Sequence, residues 1–347
     1  MILLDAVYIN QSGGKVLLEY FIRNLHERGL ISDFFFLFDS RLDSPCLETI
    51  DPDRQLRLVS SEGNRRRFYK QMPADISRVF CFANVPPPVK LRDRSVFILF
   101  HNALILSNKG MNYSLKTRLA FFLKKRYIKS KSVTSYRWIV QTRIMSGLLA
   151  KKLKVEPNAI KVLPFYEDRR FHQLNQGEAI NRGQFLYVAD GVSQKNHQVL
   201  LQAWELVFDQ KRLPVTLHLT VPAGYEQLLA EIDRLKARGV PIINHGHCSF
   251  NELQRLYERC NFFINPSLTE SFGLPLIEAA EAGCEIIAAD LQYVYEIVKP
   301  LAIFAPHNAQ NIAETIRDVY QGKYTGKTQI VVKNRIEDLI NLIYNNV

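Results

Sequence analysis

Short apolar segments that favour strands alternate along the chain with longer segments of helical periodicity. In the second half the strand candidates are QFLYVA, VTLHLTV, PIINHG, NFFINP, EIIAAD and LAIFAP. Amphipathic segments such as HQVLLQAWELVF and FNELQRLYERC lie between them. Strands that alternate with helices predict parallel sheets built from β–α–β units. The second half is therefore predicted to be a doubly wound α/β domain.

The first half follows a similar pattern, with strand candidates MILLDAVYI, ISDFFFLF, RVFCFA, SVFILFH and RWIVQT. A chain of 347 residues is long enough for two domains, each with its own core. We predict a first domain over residues 1–165, a polar linker over 166–183 and a second domain over 184–327. ANVPPPVKL and the basic EGNRRRFYK are interpreted as loops or helix edges. The tail, about 328–347, has apolar residues at helical spacing.

Composition narrows the class of protein. The longest apolar runs, such as VFILF, are too short to span a bilayer. The start MILLDAVYIN lacks the basic residues of a signal peptide, so a cytoplasmic location is expected. Five scattered cysteines show no metal-ligand spacing, so neither a disulfide framework nor a zinc site is expected.

The segment INPSLTESFGLPLIEAAEAG places two glutamates eight positions apart around a predicted helix start. Glu270 precedes the helix and Glu278 projects from it about a turn later. Gly273 allows the backbone to approach a ligand, and the first helix amides can bind an anion such as phosphate. The two carboxylates can accept hydrogen bonds from hydroxyl groups on either side of that phosphate. These features together favour a nucleotide sugar as the ligand.

This segment resembles the E-x7-E signature of retaining glycosyltransferases of the family-four type, which have the two-domain GT-B fold. The resemblance implies two doubly wound, Rossmann-like domains facing a central cleft, with the last helix crossing back onto the first domain. In such enzymes the residue matching Glu270 contacts the transferred sugar, and the residue matching Glu278 holds the ribose. The amides of Phe272, Gly273 and Leu274 are expected to lie against the sugar and the diphosphate.

Lys195 lies just before a predicted helix in FLYVADGVSQKNHQVLLQAW. It matches a lysine that the same enzymes use near the diphosphate, and a lysine can meet a phosphate as a point charge. Their usual arginine in this segment is replaced by Asp190. This departure adds an anion where the resemblance implies a cation.

Three further features are candidate site residues. Gly13 and Gly14 follow the first strand, where glycines allow close approach to the donor. His101 follows the strand candidate VFILF, at a position like that of the cleft histidine of the resembled enzymes, and joins Glu270 and Lys195 as a catalytic candidate. His245 and His247 have metal-like spacing without a third ligand, and their loop is interpreted as lying near the nucleotide base. We expect no metal and no cofactor besides the donor substrate.

Positive charge is concentrated in the first half, where residues 1–170 have a net charge of +15 against −4 for the remainder. NYSLKTRLAFFLKKRYIKSK contains seven basic residues and no acid. Its leucines and aromatic residues recur at helical spacing, which is typical of a membrane-surface helix or of a helix packed on a sheet. We expect one of two arrangements for this apolar stripe. Either it contacts lipid, or it packs inward on the sheet while Phe121 and the basic edge lie outside. The predicted membrane or acceptor patch is Lys124, Lys125, Arg126 and Lys129.

The predicted function is transfer of a hexose from a nucleotide-diphosphate sugar to a saccharide acceptor, with retention of configuration. Resemblance to bacterial O-antigen and capsular polysaccharide enzymes implies a polyprenyl-diphosphate-linked acceptor and peripheral attachment to the anionic inner face of the cytoplasmic membrane. Two alternatives remain: epimerisation of a sugar nucleotide on the same fold, and nucleic-acid binding by the basic half. No nucleic-acid recognition signature is present, so no nucleic-acid partner is expected.

Overall fold

Two units, each built on its own parallel sheet, make up the chain. The computed structural model describes residues 1–107, 113–168, 183–211 and 213–345. Unit 1 comprises Met1–Glu167 and Lys333–Val347, and unit 2 comprises Asp168–Val332. Most of the predicted linker lies outside the described residues.

In the described residues of unit 1 a single sheet has seven strands. They are β1 (Ile2–Ala6), β2 (Phe34–Asp39), β3 (Gln55–Leu58), β4 (Arg78–Cys81), β5 (Ser95–Leu99), β6 (Arg137–Val140) and β7 (Ile160–Val162). Their order is β3-β2-β1-β4-β5-β6-β7, with every neighbouring pair parallel. The order reverses next to β1, which places the loops after β1 and β4 beside each other.

The described part of unit 2 contains a six-stranded parallel sheet in the order β10-β9-β8-β11-β12-β14 and a small antiparallel ribbon, β13-β15. The strands are β8 (Gln184–Tyr187), β9 (Thr216–Leu219), β10 (Ile242–Asn244), β11 (Phe262–Asn265), β12 (Glu285–Ala289), β13 (Val298–Lys299), β14 (Ala302–Phe304) and β15 (Gln329–Ile330). The order reverses next to β8, the unit's first strand. Doubly wound sheets are thus present in both units.

Helices connect the strands and cover the sheets. They are α1 (Ser12–Glu27), α2 (Glu62–Lys70), α3 (Ala103–Leu106), α4 (Leu115–Lys131), α5 (Arg143–Leu153), α6 (His197–Lys211), α7 (Glu226–Ala237), α8 (Phe250–Arg259), α9 (Leu274–Glu281), α10 (Gln292–Ile297), α11 (Ala309–Tyr320) and α12 (Ile336–Asn345). Helix α12 belongs to unit 1, where Tyr344 Oη donates to Asp33 at 2.7 Å. None of the described helices combines the length and hydrophobicity that crossing a bilayer requires.

The core of unit 1 follows from the spacing of apolar residues on α1. Leu18, Phe21, Ile22 and Leu25 recur at i, i+3, i+4 and i+7, and all four are fully buried. The Phe21 ring lies 5.4 Å from the ring of Phe80 on β4. One face of the helix therefore packs on the middle of the sheet.

Three elements differ from the sequence interpretation or were not foreseen. Strand β3 lies at the sheet edge, with its two middle residues exposed and its two end residues partly buried, so it has no apolar run to recognise. Strand β7 has only three residues. The interpretation of EGNRRRFYK as a loop or helix edge was wrong, because these nine residues form α2. The Ser61 side chain accepts from the Asn64 amide and caps that helix.

A buried ion pair explains how α2 packs despite its charge. Arg65 of α2 is 1% exposed and donates through Nη2 to Asp5 Oδ2 of β1 at 2.7 Å, and through Nε at 3.1 Å. The same carboxylate oxygen accepts from Tyr69 Oη at 2.7 Å. A buried guanidinium is tolerated only where a carboxylate and further hydrogen bonds replace its water.

We expect Asp5→Asn to destabilise unit 1 by about 3 kcal/mol, because it leaves a buried arginine without its main counter-ion. The sequence has two tryptophans, Trp138 in unit 1 and Trp204 in unit 2. Urea unfolding followed by fluorescence in a Trp204→Phe background therefore reports on unit 1.

The matched control is Asp53→Asn, which removes the same charge from an exposed position. This control should leave the urea midpoint nearly unchanged. Equal midpoints for the Asp5 and Asp53 variants would contradict the role assigned to the buried pair.

Candidate active site

Two loops of unit 2 meet because the strands before them pair directly. β8 and β11 are parallel neighbours, with Phe185 opposite Phe262 and Leu186 opposite Phe263. Their carboxyl ends therefore lie at the same edge of the sheet. The loop after β8 leads to Lys195, and the loop after β11 leads to Glu270.

Lys195 and Glu270 form an ion pair at this edge. Lys195 Nζ lies 2.6 Å from Glu270 Oε1, and the two side chains are 19% and 17% exposed. The lysine closes a short 3-10 turn, Ser193–Lys195, before α6. The structure thus brings together two of the three predicted catalytic residues, with enough exposure for a ligand to reach them.

The loop bearing Lys195 is held by a buried tyrosine at the end of β8. Tyr187 Oη donates to the Lys195 carbonyl oxygen at 2.8 Å and lies 2.8 Å from Ser267 Oγ. Because the phenol has one proton, the serine hydroxyl must donate to it. Burial raises the pKa of Tyr187 well above its usual value, so the hydroxyl stays protonated. One phenol therefore fixes both loops.

Two asparagines and a second tyrosine add to this connection. Asn196, at a left-handed φ of 57°, donates through Nδ2 to the carbonyl oxygens of Pro266 and Pro306 at 3.2 and 2.7 Å. Tyr293 Oη donates to the Ser267 carbonyl oxygen at 2.7 Å and accepts from Asn265 Nδ2 at 3.2 Å. The backbone on both sides of the ion pair is thus fixed by buried side chains.

Helix α9 begins at the residues predicted to meet a diphosphate. Gly273 precedes it at φ 96°, a left-handed conformation that a residue with a β-carbon rarely adopts. No described side chain caps this helix start, and no acid lies in the first turn. Phe272 is buried, whereas Leu274 is partly exposed as the first helical residue. An uncapped helix start of this kind can bind an anion.

Glu278 lies on α9 beyond the first turn. Its Oε2 accepts from Tyr257 Oη of α8 at 2.9 Å. The phenol orients the carboxylate and leaves other lone pairs for a ligand. The chain therefore places one carboxylate before the helix start and one after it, as the sequence predicted from the helix bounds.

Asp190 interacts electrostatically with both members of the ion pair. Its pKa is raised by partial desolvation and by the like charge of Glu270, while Lys195 acts in the opposite direction. Next to it, Gly191 accommodates the ring of Tyr225, because a β-carbon there would lie 2.7 Å from Tyr225 Cδ1. Because its pKa responds to both Lys195 and Glu270, the aspartate lies within electrostatic range of the ion pair.

Two histidines of unit 2, His218 and His245, form a pair. His218 Nδ1 lies 3.0 Å from His245 Nε2, and the two rings stack with centroids 5.3 Å apart. Burial and the neighbouring His245 lower the pKa of His218 to about 4, so that ring is neutral at pH 7. Among the described residues no three potential ligands from His, Cys, Asp and Glu are grouped to hold a metal.

In unit 1 the structure brings His101 to the glycine loop. A β-carbon at Gly14 would lie 3.4 Å from His101 Cε1, so the ring packs directly on that loop. The backbone amide of His101 donates to Asn84 Oδ1 at 2.7 Å. Burial, with the charge of Lys124, lowers the pKa of His101 to about 4. The histidine is therefore neutral at pH 7, and Gly13 lies exposed beside it at the start of α1.

A second cluster of side chains, which no sequence pattern predicted, lies at this edge of unit 1. Tyr8 has φ 93°, which is strained for an aromatic residue, and its hydroxyl donates to Glu62 Oε1 at 2.7 Å. Tyr127 of α4 donates to the other oxygen of Glu62, Oε2, and Arg65 Nη1 donates to Oε1 at 2.7 Å. Glu62 therefore links α2, α4 and the loop after β1.

Helix α4 exposes its apolar stripe instead of packing it on the sheet. Leu115, Leu119, Phe122 and Leu123 are 84%, 57%, 50% and 56% exposed, while Ile128 is buried. The expectation that the stripe packs inward and Phe121 faces outward was wrong, since Phe121 packs against the core and meets the Tyr113 ring edge to face.

The predicted basic patch divides between two faces of α4. Lys125, Arg126 and Lys129 flank the exposed stripe, and the Arg126 guanidinium lies 5.9 Å from the centroid of Phe122. Lys124 differs, because partial burial lowers its pKa and it interacts with Glu62 and His101. It belongs with the cluster at the sheet edge.

Two Rossmann-like units, one with a lysine–glutamate pair at the carboxyl edge of its sheet, define the class as doubly wound α/β proteins, in which ligands bind at that edge. Residues 168–337 match the family described as Glycosyl transferases group 1. This match covers unit 2.

Curated relatives are mannosyltransferases by name. The serotype-specific mannosyltransferase WbdA of Escherichia coli is 28% identical over 272 residues, which cover 77% of this chain and 32% of that protein. The O-antigen chain mannosyltransferase B of Escherichia coli is 29% identical over 128 residues, covering 37% of this chain and 34% of the relative. The matched region is thus about a third of the length of these relatives.

Solved structures confirm the predicted fold class, two doubly wound domains of the GT-B type. The lipopolysaccharide outer core galactosyltransferase WaaB in its apo form has a TM-score of 0.65 and 14% identity, covering 100% of this chain and 99% of that one. HepE from Anabaena in complex with UDP and glucose gives the same TM-score and identity, with coverage of 99% and 95%. At this identity the likeness concerns the fold alone.

We expect Tyr187→Phe to destabilise unit 2 by about 1–3 kcal/mol, because the Lys195 carbonyl and the Ser267 hydroxyl lose a buried partner. Fluorescence-detected urea unfolding in a Trp138→Phe background measures the change. Tyr295→Phe is the control, since that hydroxyl bonds Asp290 at the exposed surface. If both variants unfold at the same urea concentration, Tyr187 does not hold the two loops.

Proposed function

We propose that this chain is a glycosyltransferase that moves a hexose from a nucleotide-diphosphate sugar to a saccharide acceptor, retaining the anomeric configuration. The observation that supports it best is the Lys195–Glu270 pair beside the uncapped start of α9. A cation, a carboxylate and the amides of a helix start at one edge suit a ligand that combines a diphosphate with hydroxyl groups. The names of the curated relatives make mannose the first sugar to test.

In this proposal each group has a separate role. Glu270 accepts hydrogen bonds from hydroxyls of the transferred sugar, and Glu278 from those of the ribose. The amides of Phe272, Gly273 and Leu274 lie against the sugar and the diphosphate. Lys195 stabilises the charge that develops on the leaving diphosphate, which is where a fixed cation lowers the barrier most. With this cation and the positive end of α9 in place, we propose that transfer needs no metal.

Lys195 must therefore serve two anions. Its amine is 2.6 Å from Glu270 without ligand, and a bound diphosphate would share it. Asp190 opposes phosphate binding, since its charge acts on the same region. The aspartate weakens donor affinity and favours release of the nucleoside diphosphate product.

Unit 1 is proposed to hold the acceptor with His101 as a contact, and Gly13 and Gly14 are proposed to lie near the donor phosphate or the acceptor. Because the pKa of His101 is about 4, it acts as a neutral hydrogen-bonding group and not as a cation. A saccharide, whose hydroxyls both donate and accept, suits a neutral imidazole.

Helix α4 supports a lipid-linked acceptor at the inner face of the cytoplasmic membrane. Its exposed leucines and Phe122 are flanked by Lys125, Arg126 and Lys129, which is the composition of an in-plane membrane helix. Each basic residue near an anionic surface contributes about 1 kcal/mol. We propose that this face binds the bilayer and keeps the enzyme near a polyprenyl-diphosphate-linked saccharide.

The donor proposal is tested by calorimetry with UDP-, GDP- and ADP-sugars, followed by transfer assays with the donor that binds. Glu278→Ala should weaken donor binding by about 1–3 kcal/mol, the range for a hydrogen bond to a charged group. Lys195→Ala should weaken binding of the nucleoside diphosphate but not of the nucleoside. Asp190→Asn is the control that removes a negative charge instead of a positive one, and it should strengthen binding of the nucleoside diphosphate.

Unchanged donor affinity in Glu278→Ala would contradict the proposal that Glu278 binds the ribose. If Lys195→Ala changes the affinity for the nucleoside and for the nucleoside diphosphate equally, the proposal that Lys195 binds the diphosphate is wrong. Turnover of the sugar nucleotide without any acceptor would identify an epimerase instead.

The membrane proposal is tested by co-sedimentation with phosphatidylcholine vesicles with and without phosphatidylglycerol. Replacing Lys125, Arg126 and Lys129 by glutamine should weaken binding to anionic vesicles by about 3 kcal/mol, roughly a hundredfold. Leu119→Ser with Phe122→Ser should weaken binding to the same vesicles without changing the charge. The control replaces Arg66, Arg67 and Lys70 of α2, which are also exposed.

If the α2 control releases the protein as completely as the α4 variant, only net charge matters and α4 has no special role. If the parent protein ignores anionic vesicles, the proposal of membrane attachment is wrong.

A further inference from the structure

A pocket lined by arginines opens where strands β5 and β6 of unit 1 begin. It has a volume of about 280 Å³, and its polar lining comes from Arg92, Asp93, Arg94, Ser95, Ser135 and Arg137. Three guanidinium groups face one carboxylate, so the pocket has an excess of positive charge.

The single acid does not neutralise this charge. Asp93 is 80% exposed, and its carboxylate is 3.9 Å from Arg94 Nε, too far for a hydrogen bond. Arg94 Nη1 is fully buried and has no hydrogen-bond partner among the described residues. A buried guanidinium nitrogen without an acceptor is costly, so this group is suited to receive an oxygen ligand.

The other walls are rigid. Arg137 is paired with Phe97 across β5 and β6, and its guanidinium lies 5.8 Å from the centroid of the Phe97 ring. Stacking on an aromatic face orients the planar guanidinium. Ser95 and Ser135 add neutral hydroxyl donors at the same pocket.

The pocket is separate from the residues proposed to act in transfer. His101 follows the carboxyl end of β5, whereas Arg94 and Ser95 lie at its amino end. Five residues of strand separate the two ends by about 16 Å. Strand β5 nevertheless connects the two ends directly. A ligand in the pocket would therefore bind at the amino end of β5, whose carboxyl end leads to His101.

We propose that this pocket is a second, phosphate-binding site, specific for a small phosphorylated ligand. Guanidinium groups recognise phosphate oxygens by paired hydrogen bonds, and three of them match the charge of a phosphate monoester or diphosphate. The volume lies just below the range of about 300–1,000 Å³ for sites of drug-sized ligands. The pocket is therefore too small for a nucleotide sugar and suits a phosphate head or a sugar phosphate.

The test is calorimetric titration of the full chain with inorganic pyrophosphate and with glucose 1-phosphate. A Lys195→Ala background removes the competing phosphate site proposed in unit 2. In that background Arg92→Gln and Arg94→Gln should each weaken binding by about tenfold or more. Asp93→Asn should tighten binding, because it removes the only carboxylate of the pocket lining.

Lys90→Gln is the matched control, since it removes one positive charge from an exposed neighbour and should change affinity less than about twofold. Loss of all pyrophosphate binding in Lys195→Ala alone would overturn the proposal while supporting the donor site. Equal weakening by Lys90→Gln and Arg92→Gln would also overturn it, because binding would then depend only on net charge.

A lipid head group and a soluble phosphate share this chemistry. Vesicles containing phosphatidic acid distinguish them in the Lys125, Arg126 and Lys129 variant, whose α4 face no longer binds. Sedimentation that depends on Arg94 assigns a lipid head group. Binding of glucose 1-phosphate without such sedimentation assigns a soluble ligand, and absence of both contradicts the proposal.

Discussion

Parallel pairing of β8 with β11 is the constraint on which the candidate site of unit 2 depends. It places the end of one strand beside the end of the other, so two loops far apart in sequence share one sheet edge. Pairing alone does not fix the loops, because each leaves the sheet and its backbone groups need other hydrogen-bond partners. Tyr187 and Asn196 supply those partners from buried positions. The 2.6 Å contact between Lys195 and Glu270 is a consequence of that fixation.

The ion pair between Lys195 and Glu270 also has a consequence for binding. Lys195 cannot approach a phosphate without sharing its charge with Glu270, and Asp190 adds a second anion to the same region. The ligand must therefore supply hydrogen-bond donors to the carboxylates as well as an anion to the lysine. A sugar diphosphate does both, whereas a bare phosphate does only one. The site thus discriminates by requiring hydroxyls and phosphate together.

The parts that the sequence predicted well are local in origin. Apolar runs bounded by turns predicted most of the strands, and the Gly273–Pro275 segment predicted where α9 begins. The missed parts depend on distant residues. Arg65 reads as solvent-exposed in a run of three arginines, yet it is buried because Asp5, sixty positions earlier, neutralises it. Tyr187 ends an ordinary apolar strand, and only its buried hydroxyl, which requires a partner, could have indicated its role.

The apolar stripe of α4 is the opposite case, because its apolar residues are exposed although the sequence pattern alone could also have placed them in the core. Helical spacing correctly predicted that Leu115, Leu119, Phe122 and Leu123 share a face, but spacing cannot tell a face turned to the core from one turned outward. Packing decides this, and here Phe121 and Ile128 occupy the inward side.

The excess charge of the first half is therefore not one uniform basic surface. Arg65 is neutralised inside the unit, Lys125, Arg126 and Lys129 flank an exposed apolar stripe, and Arg94 lies in a pocket at the amino ends of the strands. These environments differ in hydration, so the same residue type has different partners in each. A buried guanidinium requires a fixed carboxylate or oxyanion, whereas an exposed lysine beside leucines gains most at an anionic surface with an apolar interior. Net charge alone would have favoured nucleic acid, but its distribution among these three places favours phosphate and lipid.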